Sequence, residues 1–143
     1  MNVLIMRGSS GTGKSTYVKR NCPKEHYLVS TDNYFIREGR YEFDPGKLPE
    51  YHNASLRSYL NLLQDKVQNI VVDNTNIRMF EIAPYYRLAE VFGYHVQIFT
   101  MMCNIQTAIK RTQHGVPAHI IQNMMNSMEP LPPWWNQTFV WSE

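Results

Sequence analysis

Nine consecutive residues, Gly8-Ser9-Ser10-Gly11-Thr12-Gly13-Lys14-Ser15-Thr16, carry the spacing G-x-x-x-x-G-K-[ST]. The glycines let the backbone turn tightly, so that successive N–H groups face one concavity suited to phosphate oxygens. A helix beginning at Lys14 adds its positive end to that concavity. Lys14 is a point charge for the outer phosphates, and the Ser15 hydroxyl is a hard oxygen ligand for Mg²⁺. A turn that merely joined a strand to a helix would not need Gly13-Lys14-Ser15-Thr16 in that order. The chemistry indicated is the binding of a nucleotide with Mg²⁺.

Other polar residues fall where they could act on that nucleotide. Asp73 closes the apolar run Ile70-Val71-Val72. A carboxylate there can hold Mg²⁺ through water, or simply form a turn. Asp32 stands in Ser30-Thr31-Asp32-Asn33-Tyr34 and can accept the proton of an attacking hydroxyl. An Asp with a pKa of ~4 is a weak base for an alcohol. It suffices when phosphoryl transfer passes through a loose transition state and positioning dominates. The competing role is to cap the next segment. Arg111, in Lys110-Arg111-Thr112-Gln113-His114-Gly115 between two helices, suits a lid that closes over the triphosphate. Such an arginine can supply ~10³–10⁵ in rate, or it can be a solvated residue complementing a helix dipole. Lys110 and His114 are weaker lid candidates.

Asn74-Thr75-Asn76 offers amides that could orient an acceptor or form an Asx turn. Tyr34, Phe35, Tyr41 and Phe43 could stack on a base or plug the core. Trp134, Trp135 and Trp141, with no basic residue around them, read as packing onto the body. His26, His52, His95 and His119 show no metal-ligand spacing.

The periodicity supplies elements to hold these residues. Apolar runs at residues 2–7, 26–30, 70–73 and 94–100 read as strands. Residues 14–21 are compatible with a helix stopped by Pro23. Residues 37–51, with Pro45, Gly46 and Pro49, read as a loop. Leu56, Tyr59, Leu60, Leu63 and Val67 mark an amphipathic helix. A further helix ends near Phe92, with Gly93 as its stop and Pro84 expected in its first turn. Asn104 can cap a helix over 105–113. Pro117 suits the first turn of another, with Ile120, Ile121, Met124, Met125 and Met128 on one face. Residues 104–128 would form the lid, and residues 129–143 a tail rich in proline and tryptophan. The order β-α-β-α-β-α-β-α-α implies an α/β fold with a parallel sheet and helices on both faces. Ligands in such sheets sit beyond the carboxyl ends of the strands, that is, after Gly8, Ser30, Asp73 and Thr100.

The 143 residues fit one domain. A content of 43% hydrophobic and 18% charged residues excludes a disordered tail, a collagen-like chain and a coiled coil. No apolar run approaches the ~20 residues of a membrane span, and the apolar start is too short for a signal peptide. Cys22 and Cys103 make no disulfide framework, which fits a reducing cytoplasm. Residues 1–47 hold eight Lys or Arg against five acids, and no Lys or Arg follows Arg111. A grip on phosphates must therefore come from the N-terminal region and Arg111.

Taken together, these residues resemble the polynucleotide-kinase group of P-loop kinases, which includes the 5′-kinase domain of phage polynucleotide kinase-phosphatase and small phage and cellular relatives. The resemblance runs through Gly8–Thr16, Ser30–Phe35, Val71–Asn76, Gly93–Val96, and Arg111–Pro130 with His114-Gly115-Val116-Pro117 inside it. It implies a P-loop three-layer sandwich with a mostly parallel sheet and a helical lid. It further implies ATP as the nucleotide, Asp32 as general base, Lys14 and Ser15 as phosphate and Mg²⁺ contacts, and Arg111 as the lid arginine. The phage 5′-kinases carry an arginine three residues after the base aspartate; here that position is Phe35. Arg37 is nearby but not equivalent in spacing. This bears on 5′-end specificity and leaves ATP use intact.

The expectation is a kinase moving the γ-phosphate of ATP to a hydroxyl of nucleic acid, most simply a 5′-OH end. Tyr34, Phe35, Asn74 and Asn76 are candidate acceptor contacts. Alternative acceptors are 5-hydroxymethyl-pyrimidines within phage DNA, reached by flipping or local opening, or a free nucleoside. A nucleotide-dependent switch without transfer is the remaining reading, and the joint presence of Asp32 and Arg111 argues against it. No membrane association, obligate protein partner or phosphatase module is expected. The expected location is the cytoplasm, the host's if the chain is phage-encoded.

Overall fold

The computed structural model describes residues 1–112 and 115–142; His114, a lid candidate, and Glu143 lie outside them. Strand β1 (Asn2–Arg7) is the middle of the sheet because its Val3, Ile5 and Met6 are apolar on both faces and fully buried. Helix α1 (Lys14–Asn21) follows the glycine-rich loop, and β2 (Tyr27–Val29) comes next. A 3₁₀ turn over Thr31–Phe35 leads into a hairpin of β3 (Ile36–Arg37) and β4 (Arg40–Tyr41). Then follow α2 (Leu48–Gln64), β5 (Asn69–Asp73), α3 (Met79–Val91), β6 (His95–Met102), α4 (Ile105–Arg111), α5 (Ala118–Asn126) and β7 (Gln137–Trp141).

The main sheet has the order β2-β5-β1-β6-β7, and every neighbouring pair is parallel. Its register sets the functional edge. Met6 is paired with Asp73 on one side and Phe99 on the other, and Val29 is paired with Val72. The loop after β1, the turn after β2 and the end of β5 therefore emerge together. Alternation along the strands feeds two layers. Val3, Ile5, Ile70, Val72 and Ile98 pack with Tyr59 and Leu63 of α2 and with Ile82, Tyr85 and Ala89 of α3. Met6, Val71 and Met101 pack on the other face with Val18 of α1. A smaller cluster of Cys103, Ala108 and Ile121 joins α4 to α5.

Four features differ from the sequence expectation. Residues 137–141 form a fifth strand rather than a tail, pairing from Ile98↔Gln137 to Met102↔Trp141. Thr138-Phe139-Val140-Trp141 has strong strand propensity, but its outward aromatics hide the usual polar alternation. Trp135 stacks on Tyr86 at 4.1 Å, as packing requires, whereas Trp134 and Trp141 are exposed. The expected loop over 37–51 contains the β3–β4 hairpin, turned by Glu38 and Gly39 at φ 51° and 77°, and α2 already begins at Leu48. Pro84 lies in the interior of α3, not its first turn. It supplies no N–H to the carbonyl of Phe80 four residues back, a loss tolerable where Phe80 is solvent-exposed.

One buried residue organises the underside of the site without any sequence signal. The Arg7 guanidinium donates from Nε to Asn76 O (2.8 Å) and from Nη2 to Ile77 O (2.8 Å) and Glu129 O. Glu129 in turn accepts from Met79 N–H at 3.0 Å, at the start of α3.

Candidate active site

The glycine-rich loop wraps tightly because its neighbours leave no room for side chains. Gly11 has φ 81°, and a Cβ there would lie 2.1 Å from the Ala108 carbonyl oxygen of α4. Thr12 Oγ1 braces the turn by donating to Ser9 O at 2.8 Å. The Gly8 amide donates to Thr75 O at 2.9 Å, so it anchors the loop to the end of β5 instead of facing a phosphate. Ser9 and Thr12 are buried behind the loop, while Ser10, Gly11, Gly13, Lys14, Ser15 and Thr16 line an open cavity of about 350 Å³.

Lys14 folds over the loop and donates from Nζ to Gly8 O (3.1 Å) and Ser9 O (3.0 Å). Burial holds its ammonium below the ordinary lysine pKa, with Asp73 and then Asp32 pulling it back up. Ser15 Oγ donates to Asp73 Oδ2 at 3.4 Å. Burial raises the Asp73 carboxyl, and Lys14 and Ser15 oppose the rise. A hydroxyl and a carboxylate meeting at the outer edge of a phosphate cradle suit Mg²⁺, which keeps several waters and takes few protein ligands. No cluster of three or more His, Cys, Asp or Glu able to hold a metal occurs among the described residues.

Asp32 lines the same cavity from the turn after β2. The turn is fastened to β5 by Thr31 N–H, which donates to Asn74 Oδ1 at 2.9 Å. Asn74 thus makes a turn contact and also lines the cavity. Tyr41 OH donates to Asp32 Oδ1 at 3.3 Å. Burial, and then Asp32, push Tyr41 up to about 12, so it stays a neutral donor at working pH. Arg111 lines the same cavity from α4. It is the last residue of α4, not part of a linker between helices, and its Nη1 donates to Ser142 Oγ at 2.6 Å. Helix α4 is capped by Asn104, which accepts from Gln106 N–H at 2.8 Å. Its base is docked on the loop through Gly11 and through a 2.9 Å hydrogen bond between the Ser10 and Thr112 hydroxyls.

Three expected acceptor contacts are not brought to the cavity. Phe35 is buried at 1% exposure, with Tyr51 at 4.7 Å and Phe43 at 5.1 Å between ring centres. Its ring anchors the segment that carries Asp32. Tyr34 stacks on Tyr51 at 5.6 Å, outside the cavity lining. Asn76 is buried at φ 50° and donates its amide to Met6 O at 2.9 Å, which makes it part of the strand-end architecture. In their place the cavity is lined by Asn33 and by two aliphatic side chains, Leu28 and Ile36, both exposed. Nothing in the sequence marks Leu28 or Ile36 for the cavity. Only the edge position of β2 and the hairpin geometry turn them outward.

The profile of a family described as AAA domain matches residues 3–131. NEDD4-binding protein 2 of Homo sapiens is 32% identical over 97 residues, which is 66% of this chain and 5% of that protein. Among solved structures, a component of the Pnkp1/Rnl/Hen1 RNA repair complex superposes with a TM-score of 0.71 at 18% identity, covering 89% of this chain and 43% of its own. A sugar kinase from Janibacter sp. HTCC2649 superposes with a TM-score of 0.62 at 18% identity, covering 98% and 84%. The fold is therefore that of P-loop kinases.

Proposed function

The chain belongs to the AAA domain family, and from that premise we propose that it is an ATP-dependent kinase whose acceptor is a hydroxyl of nucleic acid, a polynucleotide 5′-OH end. The observation that carries this reading is that Lys14, Asp32, Asp73 and Arg111, drawn from four separate segments, line one cavity at the phosphate loop. A site that only held a nucleotide would have no use for a second carboxylate beside the first.

In this reading the amides of Ser9 to Thr16, together with Lys14, cradle the triphosphate, and Ser15 with Asp73 would hold Mg²⁺. The metal, when bound, neutralises charge on the β- and γ-phosphates. The acceptor enters past Leu28 and Ile36. Its oxygen forms a bond to the γ-phosphorus as the bond to the β,γ-bridging oxygen breaks. ADP leaves, and the hydroxyl proton passes to Asp32. Tyr41 holds one Asp32 oxygen, which leaves the other for the acceptor. Lys14 and Arg111 face the charge that spreads over the transferred group. Arg37 and Arg40 on the hairpin beside Ile36 are exposed and suit the phosphates of a polynucleotide. The RNA repair complex among the structural neighbours supports the same acceptor class. The aliphatic walls and buried Phe35 favour a second acceptor, a 5-hydroxymethyl-pyrimidine within DNA, whose base would lie against Leu28 and Ile36.

The test incubates the protein with γ-labelled ATP, Mg²⁺ and, in parallel, a 5′-OH oligonucleotide, hydroxymethyluracil DNA and nucleosides. Label that disappears when the 5′ end is blocked supports the 5′-kinase. Label that survives the block on modified DNA supports the base kinase. No labelled acceptor in any tube refutes the transferase. Asp32→Asn is expected to lower transfer by ~10²–10⁴ while nucleotide still binds.

A further inference from the structure

We propose that Ser142, at the end of β7, is a positioning residue of the nucleotide site, holding the Arg111 guanidinium against the phosphate loop. This rests on the reading of Arg111 as a phosphate contact and extends it to an element that the loop motif does not include. Arg111 is exposed at a helix end, where a long side chain has many rotamers to choose from. One partner selects among them: the Ser142 hydroxyl, 2.6 Å from Nη1. That hydroxyl is itself fixed by the sheet. The Ser142 N–H donates to Met102 O at 2.8 Å, one step beyond the Met102↔Trp141 pair of the β6–β7 ladder.

Both groups sit at the cradle. A methyl group on Gly13 would lie 3.5 Å from Ser142 Oγ and 3.8 Å from Arg111 Nη1. The helix below them cannot swing freely, because Ala108 and Thr112 are already docked on Gly11 and Ser10. The rotamer chosen by Ser142 therefore keeps the guanidinium beside the loop and in the wall of the cavity. A hydrogen bond to a charged group is strong enough to make that choice.

The experiment measures binding of the β,γ-imido analogue of ATP with Mg²⁺. Ser142→Ala is expected to weaken binding about fivefold, and Ser142→Thr, which keeps the hydroxyl, to restore it. Arg111→Ala weakens binding at least as much, and adding Ser142→Ala to it costs nothing further, since no guanidinium is left to position. Thermal unfolding of each variant separates lost affinity from lost fold. Wild-type affinity in Ser142→Ala beside a weakened Arg111→Ala overturns the role of Ser142. So does the same loss from Ser142→Ala in both backgrounds. Wild-type affinity in Arg111→Ala would instead remove the reading of Arg111 as a phosphate contact.

Discussion

In the proposed site, Asp73 would serve a ligand at the expense of the fold. Its carboxyl is raised above the ordinary value, mainly by burial. Between the unfolded and folded pKa values the native state holds more protons than the unfolded chain. Stability therefore falls as pH rises through that window, and the penalty persists at neutral pH. Lys14 is lowered, so the unfolded chain is the better proton binder just below pH 10.5 and stability recovers there as pH rises. Asp73→Asn is accordingly expected to raise the thermal midpoint of the ligand-free protein at pH 7, by calorimetry. The same change should cut Mg²⁺-dependent nucleotide affinity by roughly tenfold or more, by titration. A lower midpoint in Asp73→Asn would mean that the attraction of nearby Lys14 outweighs desolvation. Tyr41 makes the corresponding test on the other carboxylate. Tyr41→Phe keeps the ring beside Phe35 (6.1 Å between centres) and deletes the donor to Asp32. Transfer should fall about tenfold with nucleotide affinity unchanged.

Among the elements, the loop and α4 behave as one piece. Gly11 meets the Ala108 carbonyl so closely that Gly11→Ala must displace backbone and also strain a residue at φ 81°. A loss of about 2 kcal/mol or more is expected in urea unfolding, together with loss of nucleotide binding. An unchanged midpoint would mean that α4 can retreat. The same elements show what a sequence can tell. Strands β1 and β5 were readable because they are apolar on both faces, and α1 because the loop motif announces its first residue. Asp32 and Asp73 could be placed at one edge because a parallel sheet carries its strand ends there. The hairpin after Asp32 leaves no sequence signal, because four paired residues make no periodic pattern. Strand β7 leaves none because its aromatics point outward. For Phe35 the core-plug alternative holds, and Asn76 belongs to the strand-end architecture; sequence leaves both open because adjacency to Asp32 or Asp73 says nothing about which way a side chain turns. The contacts of Tyr41 with Asp32 and of Ser142 with Arg111 join residues 9 and 31 positions apart, and nothing local signals either.

Across the whole molecule, stability and site share a buried cation. Arg7 has no polar neighbour in β1 and must be satisfied by three main-chain oxygens from segments far along the chain. Arg7→Met would leave those carbonyls unpaired under the sheet edge, at a cost of about 3 kcal/mol or more in chemical denaturation. A smaller loss would show that water reaches them. The strand order has a different outcome. The two marginal strands, β2 and β7, flank the loop from opposite sides of the sheet, and each passes a polar group to the cavity through Asp32 or through Ser142 and Arg111. A bound triphosphate would stitch both margins to the middle. Amide exchange should then slow in β2 and β7 together, although three strands separate one rim from the other.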